Sequence, residues 1–110
     1  GMETLMRPVL YGAYHRMYKV GEPETTTGLI ADITGRICEN TDRLAVDRAF
    51  PTVAEGALVA IMDTGAYGSV MSSNYNSRLS VPEIIVDGSS AKIIKKRQSF
   101  EESIALEKNL

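Results

Sequence analysis

Glu83-Ile84-Ile85-Val86-Asp87-Gly88-Ser89-Ser90-Ala91-Lys92-Ile93-Ile94-Lys95-Lys96 holds two β-branched runs on either side of a short polar turn. Branched side chains fit a pleated surface, and a glycine in a two-residue loop lets a chain reverse tightly. The pattern predicts strands over Glu83 to Asp87 and Ala91 to Lys96, joined as a hairpin. On the C-terminal side, Lys95-Lys96-Arg97 reads as a solvated strand end. Ser99, with Glu102 three positions on, matches a capping box and predicts a helix over Ser99 to Lys108.

Upstream, Ala57 to Asp63 is nearly continuous in apolar residues and predicts a buried strand. It runs into Thr64-Gly65-Ala66-Tyr67-Gly68, where the glycines predict a sharp turn or close approach of a ligand. Val70 to Arg78 sets polar residues around Tyr75, and its Asn74-Tyr75-Asn76 portion is expected to satisfy backbone groups. Arg7 to Val20 is rich in β-branched and aromatic residues; Pro8 and Gly12 weigh against a helix, so a strand is predicted. Gly21 to Thr27 reads as a polar loop, Thr27 to Thr34 as a strand, and Thr41 to Ala49 as a short helix or turn. Five or so strands with one terminal helix make a mainly β, antiparallel sandwich or barrel.

The chemistry concentrates in Gly35-Arg36-Ile37-Cys38-Glu39-Asn40-Thr41-Asp42, which sets the only cysteine beside a carboxylate. Asn40-Thr41-Asp42 is suited to capping a short helix. A thiol and a carboxylate at a strand end can serve as proton donor and as charge partner for a cationic substrate. The competing reading is a cysteine acting as a small buried hydrophobe. His15 is assigned a packing role, as are Tyr14 and Tyr18.

The 110 residues suffice for one domain with a core but are few for a complete cofactor enzyme. A formal net charge of -2 supplies no basic field for nucleic acid. One cysteine excludes an internal disulfide and suits the cytoplasm, the expected location. No apolar run approaches the ~20 residues that span a bilayer. No metal cluster is expected. Gly1-Met2-Glu3 lacks the features of a signal peptide, and Gly1 reads as an expression remnant.

Read together, five motifs resemble the C-terminal domain of pyridoxal-phosphate-dependent diaminopimelate decarboxylases. They are Met6-Arg7-Pro8-Val9-Leu10-Tyr11-Gly12-Ala13-Tyr14-His15, Ile37-Cys38-Glu39-Asn40-Thr41-Asp42, Asp63-Thr64-Gly65-Ala66-Tyr67-Gly68, Met71-Ser72-Ser73-Asn74-Tyr75-Asn76-Ser77-Arg78 and Glu83-Ile84-Ile85-Val86-Asp87-Gly88. The resemblance runs from about Glu3 to the terminal helix. It implies a Greek-key β domain like that of alanine racemase-type enzymes, and a preceding (β/α)8 barrel, absent from this chain, that carries the cofactor lysine.

The same resemblance implies roles. Arg7 and Tyr11 contact the distal carboxylate end of diaminopimelate; a guanidinium suits this because it binds a carboxylate through two parallel hydrogen bonds. Cys38 and Glu39 enter the site of the other subunit of a homodimer, the thiol protonating the substrate carbon and the carboxylate reading the distal ammonium. Tyr67 lies near cofactor and substrate. Pyridoxal phosphate belongs to the full-length enzyme, and none is expected on this chain alone. Arg36 and Asn40 stand where the family usually has Pro and Ser, and Leu79-Ser80-Val81-Pro82 replaces a segment richer in proline and arginine. Ornithine-type relatives usually carry Asp after the cysteine, so Glu39 favours the diaminopimelate type; carboxynorspermidine-type relatives are a further option. The alternative function is a stand-alone β module that binds a partner or regulates a full-length homologue.

Overall fold

The hairpin expected from the sequence is present in the computed structural model, which describes residues 1–24 and 26–108. β5 (Glu83–Asp87) pairs antiparallel with β6 (Ser90–Lys95), and Asp87 faces Ser90 across a Gly88-Ser89 loop. Gly88 takes φ 57°, the left-handed conformation such a loop demands. The elements before it are α1 (Arg7–Tyr11), β1 (Met17–Lys19), β2 (Leu29–Thr34), β3 (Arg43–Phe50), β4 (Val59–Ile61) and α2 (Gly65–Val70). A 3-10 turn at Tyr75–Ser77 precedes β5, and α3 (Phe100–Ser103) follows β6. Thr25, in the expected Gly21 to Thr27 loop, lies outside the described residues.

The domain is mainly β, but its described strands form three two-stranded antiparallel sheets (β1–β4, β2–β3 and β5–β6) and no closed barrel. Leu5, Met17, Leu44, Ala45 and Phe50 make the core, with Ile33 and Ile61 packed against it. Apart from Leu5, which precedes α1, those residues come from β1, β2, β3 and β4, so the core joins the first two sheets. The hairpin contributes nothing to it.

Four expectations are corrected. Arg7 to Val20 is not one strand: α1 comes first and only Met17–Lys19 is extended. Pro8 sits in the first turn of α1, where its missing N–H has no partner to lose, and Gly12 closes the helix at φ 64°. Thr41 to Ala49 is not a helix or turn but most of β3. There Ile33 pairs with Ala45 and Ala31 with Arg48, so Val46 and Asp47 together oppose Asp32. This bulge, with Asp47 at φ 47° and its N–H on Asp32 Oδ1 at 3.0 Å, breaks the period-two pattern by which a strand is recognised. Ala57 to Asp63 yields only the three residues of β4, with Leu58 and Val59 exposed. The glycine-flanked Tyr67 lies on α2, not in a sharp turn.

The capping box at Ser99 is made: its hydroxyl accepts the Glu102 N–H at 3.2 Å, and Glu102 Oε2 accepts the Ser99 N–H at 2.7 Å. The helix nonetheless stops at Ser103, short of Lys108. None of its residues is buried, and a cap without an apolar face to dock cannot carry a helix further.

Candidate functional site

The loop Gly35–Asp42 has a buried base and an exposed tip. Asp42, only 2% exposed, accepts the Ile37 N–H on Oδ2 at 2.9 Å and the Met2 N–H on Oδ1 at 2.6 Å. Its carbonyl accepts the Gly35 N–H at 2.8 Å, and its own N–H donates to the Glu39 carbonyl at 3.0 Å. Asp42 therefore caps backbone amides as the sequence suggests, but those of a loop, since no helix follows. Gly35 is required here: a Cβ at that position would lie 2.0 Å from Asp42 Oδ2.

Both Cys38 and Glu39 are exposed, which removes the reading of Cys38 as a buried hydrophobe. Glu39 Oε1 accepts the Thr41 hydroxyl at 2.8 Å, and Oε2 accepts the Tyr75 hydroxyl at 2.8 Å. These two donors, Thr41 foremost, hold the Glu39 carboxyl below its ordinary range; the hydrogen bond to Glu39, and then its charge, push the Tyr75 phenol up. Asn76 Nδ2 approaches Cys38 Sγ at 4.0 Å. Asn76 and Ser77 have φ of 54° and 58°, a conformation uncommon outside glycine.

The Tyr75–Ser77 turn is tied down at its start. Ser73 N–H donates to the Glu3 carbonyl at 2.8 Å, and Asn74 Nδ2 reaches both the Arg78 carbonyl and Gln98 Oε1 at 2.6 Å. Thus Asn74 does satisfy backbone, as expected, whereas Tyr75 and Asn76 address the tip. Their part in the site was missed from sequence. The available signal was a lone tyrosine between asparagines, a residue type that tolerates left-handed backbone.

The other candidates form a second group. The Arg7 guanidinium stands 5.6 Å from the Tyr67 ring centroid, within cation–π range. Tyr11 ends the helix that Arg7 begins, and both tyrosines are exposed. Among the described residues no side-chain hydrogen bond, ion pair or cation–π contact links Tyr11 to either, or this group to Cys38 and Glu39. His15 is a packed residue as assigned, 1% exposed with Nδ1 3.0 Å from the Met62 carbonyl oxygen. A cavity of about 520 Å³ lies among Leu5, α2 and the hairpin, but none of the candidate residues lines it. Among the described residues no three or more His, Cys, Asp or Glu side chains are placed to hold a metal. No helix among them is long and apolar enough to cross a membrane.

Residues 1–65 match the family described as pyridoxal-dependent decarboxylase, C-terminal sheet domain. The chain is 43% identical over 101 residues to a diaminopimelate decarboxylase of Aquifex aeolicus, covering 92% of this chain and 24% of that protein. It is 44% identical over 106 residues to one of Neisseria meningitidis, covering 96% of this chain and 26% of that protein. The crystal structure of the Helicobacter pylori diaminopimelate decarboxylase complexed with L-lysine superposes with a TM-score of 0.88 at 34% identity, over 99% of this chain and 27% of that one. The chain therefore spans about a quarter of the length of the curated relatives it matches. The motif order, the exposed Cys38–Glu39 tip and the family match agree: this chain belongs to the pyridoxal-dependent decarboxylases, as their C-terminal sheet domain.

Proposed function

We propose that this chain is the substrate-reading and dimer-forming C-terminal part of a diaminopimelate decarboxylase, converting meso-diaminopimelate to L-lysine and carbon dioxide. It forms a single domain, acts in the cytoplasm, and is inactive without the (β/α)8 barrel of the full-length protein. The Greek-key arrangement of the alanine racemase type is completed in that larger protein. The observation that carries the reading is the tip itself: an exposed thiol beside a carboxylate kept ionised by Thr41 and Tyr75. The naming of its relatives and the L-lysine bound to the Helicobacter pylori protein support it.

Tyr67 suits the cofactor end of such a site, and Arg7 beside it suits a carboxylate of the substrate. A phenol and a guanidinium, both able to donate hydrogen bonds, lie together on the surface where an anionic group can reach them. None of the five lysines here, Lys19, Lys92, Lys95, Lys96 and Lys108, stands in a motif that resembles a cofactor-lysine site, so the lysine that holds the cofactor is assigned to the barrel. Pyridoxal phosphate, when bound, supplies the sink for the electron pair left by departing carbon dioxide. Arg7 and Tyr11 then hold the distal carboxylate, Glu39 the distal ammonium, and the Cys38 thiol delivers a proton to the substrate carbon. Cys38 and Glu39 do so in the site of the partner subunit, which accounts for their separation from Arg7 and Tyr67.

The test is a decarboxylase assay of the full-length protein carrying this chain, loaded with pyridoxal phosphate. Release of carbon dioxide and lysine from meso-diaminopimelate is expected, in preference to turnover of ornithine or carboxynorspermidine. A folded, cofactor-loaded protein that releases neither product overturns the reading.

A further inference from the structure

We propose that Tyr75 and Asn76 are positioning residues, a turn that fixes Glu39 to receive the distal ammonium of an amino-acid substrate and holds the Cys38 thiol beside it. The inference rests on the function proposed above and extends it to two residues whose motif carried no assigned role.

Glu39 stands on an exposed tip, where a flexible side chain has several rotamers open to it. The Thr41 hydroxyl occupies one carboxylate oxygen and the Tyr75 hydroxyl the other, both at 2.8 Å. A carboxylate has about four lone-pair sites, so each oxygen keeps capacity for an incoming ammonium while its rotamer is held. Thr41 is two residues from Glu39 and belongs to the same loop; Tyr75 is 36 residues away and locks that loop to a second segment.

The second segment is built for the contact. Asn76 and Ser77 lie consecutively in left-handed backbone, at a place where neither residue is glycine. Such conformations persist only where surrounding structure over-determines them, and they cluster at functional sites. Here the determinants are the Ser73–Glu3 and Asn74–Gln98 hydrogen bonds. The result turns the Asn76 amide to within 4.0 Å of Cys38 Sγ, while Tyr75, 45% exposed, contributes nothing to the buried core. An exposed tyrosine whose hydroxyl serves one exposed carboxylate has little structural purpose.

The titratable neighbours of Glu39 are Tyr75 and Cys38 at the tip and Asp42 at the base, whose like charge opposes ionisation. Loss of the Tyr75 donor therefore lets the Glu39 carboxyl rise, and the acid limb of activity moves to higher pH.

In the full-length enzyme, Tyr75→Phe should raise KM for meso-diaminopimelate about tenfold, the worth of a hydrogen bond to a charged group. It should shift the acid limb of kcat/KM upward, and leave kcat and the thermal midpoint nearly unchanged. Asn76→Gly keeps the left-handed turn but removes the amide, and should lower kcat with KM nearly unchanged. In a double-variant cycle, Tyr75→Phe should add nothing to the KM effect of Glu39→Gln, because the two act through one contact. An active wild type whose KM and pH profile are unmoved by Tyr75→Phe, or whose Tyr75 and Glu39 effects simply add, overturns this inference alone. A wild type without decarboxylase activity overturns the proposed function and this inference with it.

Discussion

The Gly35–Asp42 loop and the β5–β6 hairpin both reverse the chain and both carry exposed side chains, but they are anchored in opposite ways. The loop has a buried base: Asp42 gathers backbone amides from Ile37 and Met2, and Leu44 and Ala45 follow directly into the core. The hairpin has no buried residue, with Ile84, Ile85, Val86, Ile93 and Ile94 all more than half exposed. It is held by its own ladder and by a polar tether, in which Glu83 accepts the Ser69 hydroxyl at 2.7 Å and pairs with Lys95 at 3.3 Å. Exposure thus means different things in the two places. On the loop it is the presented end of a fixed structure; on the hairpin it is apolar surface left outside the core.

The largest expected effect tests the anchored base. Asp42→Ala strips acceptors from two backbone amides, a loss of about 1–3 kcal/mol for each left unsatisfied. The thermal midpoint should fall clearly, and in the full-length protein proposed above decarboxylation should be lost with it. Retention of both would erase the contrast with the hairpin.

Next comes the tip. In the full-length enzyme Cys38→Ala should cut turnover about a hundredfold or more, with KM and thermal midpoint held, since a proton donor matters in the transition state and the side chain is exposed. A large loss of stability with activity intact in the folded fraction would return Cys38 to a packing role.

The smallest effects belong to the hairpin. Ile85→Thr, at an exposed position, should change the stability of the 110-residue chain by no more than about 0.5 kcal/mol in denaturant titration. Its tether should respond to acid. The Glu83 carboxyl is held below its ordinary range by Ser69 and then Lys95, so its contribution is present above the unfolded value and fades as pH falls through the lower folded one. Protection of the β5 amides, corrected for the intrinsic pH dependence of exchange, should fall over that acid window, and Glu83→Gln should abolish the dependence. A hairpin insensitive to both would be anchored by contacts beyond this tether.

The same contrast governs legibility. The hairpin was readable because its strands, its glycine turn and its pairing lie within one short stretch; the Ser99–Glu102 capping box was readable for the same reason. The Cys38–Glu39 pair stood out as chemistry and as part of a recognisable motif. Its supports did not: Asp42 resembled a helix cap until β3 took the place of the helix. Bulges put Leu44 and Ala45 side by side in the core and hid the strand's alternation.

By itself the sequence determined the mainly β class, the hairpin, the terminal cap and the family, because each rests on residues near one another or on motifs in order. Tertiary structure alone decided that Arg7 and Tyr11 sit on a helix, that Arg43–Phe50 is a strand, and that Tyr75 meets Glu39. A five-residue helix or a bulged strand is too short and too irregular for local preference to choose between states. The choice falls to the core that Leu5, Met17 and Phe50 build together, and to hydrogen bonds closed across tens of residues.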